Sequence, residues 1–128
     1  MKFERFKFIL DEQLKKSLHL TIEFHKILFD HELNKRADHK IHTAILCLSE
    51  AFSCINSAHI LYLSNCEEGE CLEFENLVHK FNVLNREFIN SYSTNHSLQC
   101  TDIEYNSFMD SCSNYSKELE DFISNYIQ

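Results

Sequence analysis

The chain has 128 residues with a single glycine, no proline and a net charge of −8. An all-β chain of this size needs many tight turns built from Gly, Pro or Asn-Gly, so the composition excludes that class and predicts an all-α fold. Residues 65–128 hold only three Lys/Arg against twelve Asp/Glu and would repel a phosphate backbone, which argues against nucleic-acid binding.

The length fits one domain spanning residues 1–128, large enough to bury a core without disulfide staples. The first ten residues lack the uninterrupted apolar core of a secretion signal. Residues 41–66 carry one charge, Glu50, but are too rich in Ser, Asn and His for a membrane span. We therefore expect a soluble cytoplasmic protein without membrane contact, whose six cysteines are free thiols or metal ligands.

The first predicted helix spans roughly residues 3–33. Its main apolar stripe has helical spacing and comprises Phe3, Phe6, Leu10, Leu14, Leu18, Ile22, His25, Phe29 and Leu33. Between residues 20 and 29 a second apolar set nearly encircles the helix and leaves a polar strip that contains His19. That excess predicts burial on two sides, with a homodimer interface as one way to achieve it.

The second predicted helix, residues 37–64, is the centre of the predicted fold. A first break is expected at residues 33–38, although one long continuous helix is the alternative. Helix two carries two apolar stripes and therefore needs neighbours on both sides. The first stripe is Ile41, Ile45, Leu48, Phe52, Ile55, His59 and Tyr62; the second is Ala44, Cys47, Ala51, Cys54, Ala58 and Leu61.

Two further helices complete the prediction. A break at residues 64–71 holds Gly69, and a third helix then follows an apolar stripe from Phe74 to Tyr92. A capping-box pattern from Thr101 to Glu104 predicts the start of a fourth helix, whose apolar residues continue to Tyr126 with a period of 3.5. Four long helices with short connections predict an antiparallel up-down four-helix bundle.

The eight histidines and six cysteines suggest a metal site in the bundle core. Counting from the predicted turns places His25 level with Cys47 and His79 level with Cys54. Zinc takes four ligands from Cys, His and carboxylate side chains. The candidate ligands are His19, His25, Cys47, Glu75 and His79, of which Glu75 and His79 share one helix face. Each of them also has an ordinary structural interpretation as a packed or solvated side chain.

The arrangement of His19, Cys47 and the Glu75/His79 pair over residues 15–90 resembles the chemoreceptor zinc-binding domain. That family is a four-helix bundle of bacterial chemoreceptors and diguanylate cyclases, with zinc held by a His, a Cys and an HxxxH pair on successive helices. The resemblance implies a zinc-binding sensor. The sequence departs from the pattern after Cys47, where the family's Gly and Trp are missing, and at Glu75, where the first His of the pair belongs.

A second resemblance concerns Arg36 and His42, whose spacing fits the loose R-x4-6-H signature of HEPN ribonucleases. In those small helical enzymes the pair would position and protonate a phosphodiester at a dimer cleft. Here Ala37 replaces the polar residue usual after the arginine. This interpretation makes the chain a toxin-type RNase.

Since no other active-site grouping is present, the sequence favours a non-enzyme. We expect a small acidic regulatory or adaptor protein that binds other proteins, with a homodimer as its simplest form and zinc as its one possible cofactor. The RNase interpretation with Arg36 and His42 is the alternative.

Overall fold

The computed structural model describes residues 2–29, 38–94 and 97–127, and these residues form five helices. They are α1 (Lys2–Phe29), α2 (Asp38–Asn65), α3 (Leu72–Ser93), α4 (Gln99–Tyr115) and α5 (Lys117–Ile127). The described residues contain no strand, and the all-α prediction is confirmed. The predicted break at residues 33–38 lies almost entirely outside the described residues.

Helices α1 and α2 lie side by side in opposite directions. The beginning of α1 contacts the end of α2, where the rings of Phe3 and Tyr62 meet edge-on at 6.1 Å. Halfway along, the Ser17 hydroxyl donates a hydrogen bond to the carbonyl oxygen of Ala51 at 3.2 Å. The alternative of one continuous helix through both segments is therefore wrong.

Helix α3 runs antiparallel to both α2 and α4. Its first turns bring Phe74 against Tyr62 of α2 and against Tyr115 at the end of α4, with ring centroids 4.8 and 6.0 Å apart. Further along, Phe81 meets Phe108 of α4 at 5.3 Å. Each aromatic pair fixes the register of two helices because edge-on and tilted ring contacts are directional.

One continuous hydrophobic cluster joins all five helices. The apolar excess at residues 20–29 is largely covered inside the chain, since Phe24 and Leu28 are buried while Leu20 and Ile27 are half-buried against the core. The surface predicted there for a dimer is thus smaller than the sequence indicated.

The prediction of a single fourth helix is wrong, because the chain breaks at Ser116. This residue has extended backbone angles, φ −157° and ψ 133°. Its hydroxyl oxygen accepts hydrogen bonds from the backbone N–H groups of Glu118 and Leu119 and so caps α5. Helix α5 then turns back along α1, with Lys15 paired to Glu118.

The predicted capping box at Thr101 is also wrong. Helix α4 begins at Gln99, whose N–H donates to the Ser97 hydroxyl oxygen. Thr101 therefore lies inside the helix, fully buried, and its hydroxyl has no hydrogen-bond partner among the described residues.

A buried polar bridge connects α1 with the end of α4. Asp11 is 5% exposed and accepts a hydrogen bond from the Tyr115 hydroxyl at 2.8 Å. Its other carboxylate oxygen lies 2.6 Å from the Lys7 ammonium. Burial and the adjacent Asp11 carboxylate raise the pKa of Tyr115 well above its usual range, so the phenol remains a hydrogen-bond donor at all ordinary pH values.

We predict that Tyr115→Phe lowers the free energy of unfolding by roughly 1–2 kcal/mol, because a nearly buried carboxylate loses one hydrogen-bond donor. The matched control is Tyr92→Phe, which changes a partly exposed ring stacked on Phe88. Urea unfolding followed by circular dichroism measures both variants. Equal stabilities for the two would show that the bridge to Asp11 contributes nothing.

Candidate interaction surface

The side of α2 that faces away from the core carries large apolar side chains in the open. The buried seam of this helix uses a three-and-four spacing and consists of Ile41, Ala44, Leu48, Ala51, Ile55, Ala58 and Tyr62. On the other side Leu46 is 63% exposed, Ile60 55% and Leu63 59%. Phe52 lies at the edge of this side, 40% exposed, with its ring 6.4 Å from that of the buried Phe81 of α3. The prediction that the two stripes of α2 have separate neighbours is confirmed, because α1 contacts the stripe with Ala51 and α3 contacts the stripe with Phe52 and Tyr62. The exposed residues Leu46, Ile60 and Leu63 lie outside both stripes.

One charged residue, the exposed Glu50, lies at the edge of this surface. We call the surface the outer α2 face and define it as Leu46, Phe52, Ile60 and Leu63 with the exposed polar residues Ser49, Ser53 and Asn56 between them. No Asp, Glu, Lys or Arg occurs from residue 51 to residue 66, although a quarter of the whole chain is charged. Isolated exposed apolar residues are ordinary, but a contiguous uncharged set along one helix is typical of a contact surface.

The same helix also satisfies the length and composition of a membrane span. Lys40–Asn65 is long and apolar enough to cross a bilayer, and 33% of its most apolar window is buried inside the bundle. The core helix of a soluble protein passes the same test, so length and composition alone do not decide between the two environments.

A rigid acidic turn closes the far end of the outer α2 face. Gly69 adopts φ +82°, a conformation that favours glycine, and its N–H donates to the Glu75 carboxylate at 2.6 Å. The Tyr62 hydroxyl donates to the same carboxylate and accepts from the Cys71 N–H. Burial and this carboxylate raise the pKa of Tyr62 to about 12. The exposed carboxylates in this turn include Glu67.

An open cleft of about 300 Å³ lies beside this turn, where α1 begins and α2 ends. Its lining is mixed: Arg5, Phe6, Ser64, Asn65, Cys66 and Glu67. The cleft is at the small end of the range for ligand sites and lacks the apolar lining typical of them.

The predicted zinc ligands lie in separate parts of the structure, and each contacts different residues. Cys47 is half-buried, and its thiol pKa is raised by burial and then by the Glu23 carboxylate. His19 is exposed and packs edge-on against Tyr126 of α5 at 4.9 Å. The Tyr126 hydroxyl donates to Glu23, so α5 lies over the polar strip of α1 that contains His19.

The other three predicted ligands lie elsewhere. His25 shares a 2.8 Å hydrogen bond with Asp102 and stacks on Tyr105 at 3.8 Å. Glu75 belongs to the acidic turn, and His79 is exposed on α3. In residues 2–29, 38–94 and 97–127 no three His, Cys, Asp or Glu side chains come close enough to hold a metal ion. Zinc binding therefore stays a prediction from the sequence.

The ribonuclease pair is not brought together in the described residues. Arg36 lies outside them, and His42 is exposed near the start of α2, on the same side as the outer α2 face. Comparison with protein families, curated proteins and solved structures gives no match to this chain.

The zinc hypothesis predicts close to one equivalent of zinc in protein purified without a histidine tag, and a melting temperature that falls in EDTA. Cys47→Ala should remove both effects, because Cys47 would supply the thiolate. The matched control is Cys54→Ala, seven residues along the same helix. Elemental analysis showing less than about a tenth of an equivalent, with melting unchanged by EDTA, would contradict the hypothesis.

Proposed function

We propose that this protein is a small acidic regulatory or adaptor protein that acts by binding another protein through the outer α2 face. The observation that carries the proposal is the exposed apolar surface on one helix, which has Glu50 as its one charged neighbour on α2 in a chain whose net charge is −8. Binding would bury Leu46, Phe52, Ile60 and Leu63, which the fold leaves exposed.

The frame that presents this surface is, in our proposal, an antiparallel up-down bundle of α1, α2, α3 and α4, with α5 turning back along α1. The antiparallel contacts of α2 with α1 and α3 support it. A face fixed on a packed helix loses little conformational freedom on binding, which favours recognition by a preformed surface.

The size of the apolar set predicts a modest affinity. Burying a large apolar side chain completely contributes roughly 1.5–3 kcal/mol, and the four residues here are already about half-buried. Their gross contribution is on the order of 5 kcal/mol before the cost of association. We therefore expect a transient or regulated complex unless flanking residues add to the contact.

The charge distribution favours a protein partner over a lipid surface. The outer α2 face ends at an acidic turn that includes the exposed Glu67 and Glu68, and such a turn is repelled by anionic headgroups. A transmembrane α2 would also have to give up its buried seam with α1, including the hydrogen bond between Ser17 and Ala51. A cytoplasmic location remains our expectation.

Site-specific photo-crosslinking in cells tests this proposal. A photoreactive amino acid at position 60 should form a protein adduct, whereas the same residue at position 103 should not. Ile103 is the matched control because it is 58% exposed, against 55% for Ile60, and lies on α4.

Equal adducts from positions 60 and 103, or none from position 60, would contradict the proposal. Adducts to lipid from position 60 would replace the protein partner by a membrane. The mass of a protein adduct also separates a second copy of the 15.2 kDa chain from a different protein.

A further inference from the structure

The open cleft between the beginning of α1 and the end of α2 has charges of both signs in its lining. Arg5 lies near the start of α1, and Glu67 lies in the turn that follows α2. Both residues are exposed, and neither side chain takes part in an ion pair or a hydrogen bond within the part of the chain that the structure describes. The cleft therefore offers one cation and one anion to a bound molecule.

Hydrogen bonds fix the two walls of this cleft relative to each other. The Glu67 N–H donates to one carboxylate oxygen of Glu70 at 3.1 Å, and the Phe3 N–H donates to the other at 2.7 Å. The Glu67 carbonyl oxygen accepts from the Tyr62 hydroxyl at 3.4 Å. The backbone that carries Glu67 is thus tied to the first turn of α1, which carries Arg5, so a ligand finds the cleft largely formed.

The rest of the lining combines polar groups with one aromatic ring. The Asn65 amide nitrogen donates to the Leu61 carbonyl oxygen at 2.9 Å, which leaves the amide oxygen as an acceptor. The Ser64 hydroxyl is exposed beside it. Phe6 is half-buried against the core and offers the remaining part of its ring to the cleft. This mixed lining is poor for a wholly apolar ligand and suits one with charged and apolar parts.

The volume of the cleft limits the size of its ligand. About 300 Å³ equals the space of roughly ten water molecules at ~30 Å³ each, which suits a molecule of roughly ten non-hydrogen atoms. A free α-amino acid has this size and carries its ammonium and carboxylate groups on one carbon. A peptide carries these groups at opposite ends, so it would present only one of them to the cleft.

We propose that this cleft binds a free α-amino acid with an uncharged side chain. The Arg5 guanidinium pairs with the ligand's carboxylate, and the Glu67 carboxylate pairs with its ammonium, for which the Asn65 amide oxygen is a second acceptor. The ligand's side chain lies against Phe6, where a charged group would have no partner. This site is separate from the outer α2 face, and the inference does not depend on the proposed function.

The affinity follows from the exposure of the two charged groups. Water and salt screen ion pairs at exposed positions, so each pair contributes modestly to binding. We expect a dissociation constant in the millimolar range, which is typical of a site that responds to changes in the concentration of an abundant small molecule.

NMR titration of the isotope-labelled chain with L-methionine tests the site. At millimolar concentration L-methionine should shift the backbone amide signals of Phe6 and Glu67 and leave those of α4 unchanged. Its methyl ester lacks the carboxylate charge, and N-acetyl-methionine lacks the ammonium. Each derivative should bind about fivefold more weakly or worse, because each loses one charge pair.

Charge-removing variants test the two residues directly. Arg5→Gln and Glu67→Gln should each weaken L-methionine binding about fivefold or more, by the same loss of one pair. The matched controls are Arg86→Gln and Glu68→Gln, which remove the same charges at exposed positions outside the cleft lining. Circular dichroism checks that all four variants keep their helix content, which we expect because every one changes an exposed side chain.

Absence of amide shifts at the cleft in millimolar L-methionine overturns the inference, as does binding that Arg5→Gln and Glu67→Gln leave as strong as the controls do. Weakening by Arg5→Gln alone, or equal binding of the N-acetyl derivative, would make the cleft an anion site and overturn its assignment to an amino acid. None of these measurements involves the outer α2 face, so their failure is distinct from failure of the proposed function.

Discussion

The close contact between α1 and the alanine seam of α2 determines how the rest of this chain is presented. Ala44, Ala51 and Ala58 are fully buried, and their small side chains let α1 approach until the Ser17 hydroxyl reaches the Ala51 carbonyl oxygen. The three alanines are spaced by seven residues, so they fix the rotation of α2 about its axis along most of its length.

That fixed rotation explains the outer α2 face. The residues two positions after each buried alanine are Leu46, Ser53 and Ile60, which lie about 200° around the helix and must point outward. The buried alanines and the exposed residues thus follow the same seven-residue repeat on opposite sides of the helix. Replacing the alanines with larger residues would push α1 away, whereas changing the outward residues leaves the seam untouched.

Polar contacts, rather than glycine or proline turns, hold the ends of the helices. At one end the Glu70 carboxylate accepts a hydrogen bond from the backbone N–H of Phe3. Phe3 lies in the first turn of α1, where backbone N–H groups have no acceptor within the helix. The Asp11–Tyr115 bridge ties α1 to the end of α4, next to the break at Ser116. A chain with one glycine and no proline can reverse direction because such side chains satisfy its helix ends.

Helical periodicity predicted much of this fold, and the failures have particular physical causes. The predicted span 37–64 agrees with Asp38–Asn65 within a residue, since its buried heptad is strict. The break at Ser116 was missed because the 3.5-residue period continues through Tyr115, Leu119 and Tyr126 on both sides of a chain reversal. Periodicity measures spacing along the chain and carries no information about direction.

The candidate surface is harder to predict, because the helical spacing that identifies a buried stripe says nothing about apolar residues outside it. Leu46, Ile60 and Leu63 belong to neither predicted stripe of α2, although the uncharged run from residue 51 to residue 66 was visible in the sequence. Counting from the turns gave level positions for the metal ligands but not their direction. His19 points toward α5 rather than toward α2.

Helix α5 makes the uncovered state of α2 understandable. It carries four charged residues in its first five positions and attaches to α1 through charged partners, with Glu118 on Lys15 and Tyr126 on Glu23. Its apolar residues, which include Leu119, Phe122 and Ile123, pack against the hydrophobic core rather than against the exposed side of α2. The chain therefore covers the polar side of α1 with its own C-terminal helix and leaves the apolar residues Leu46, Ile60 and Leu63 of α2 exposed.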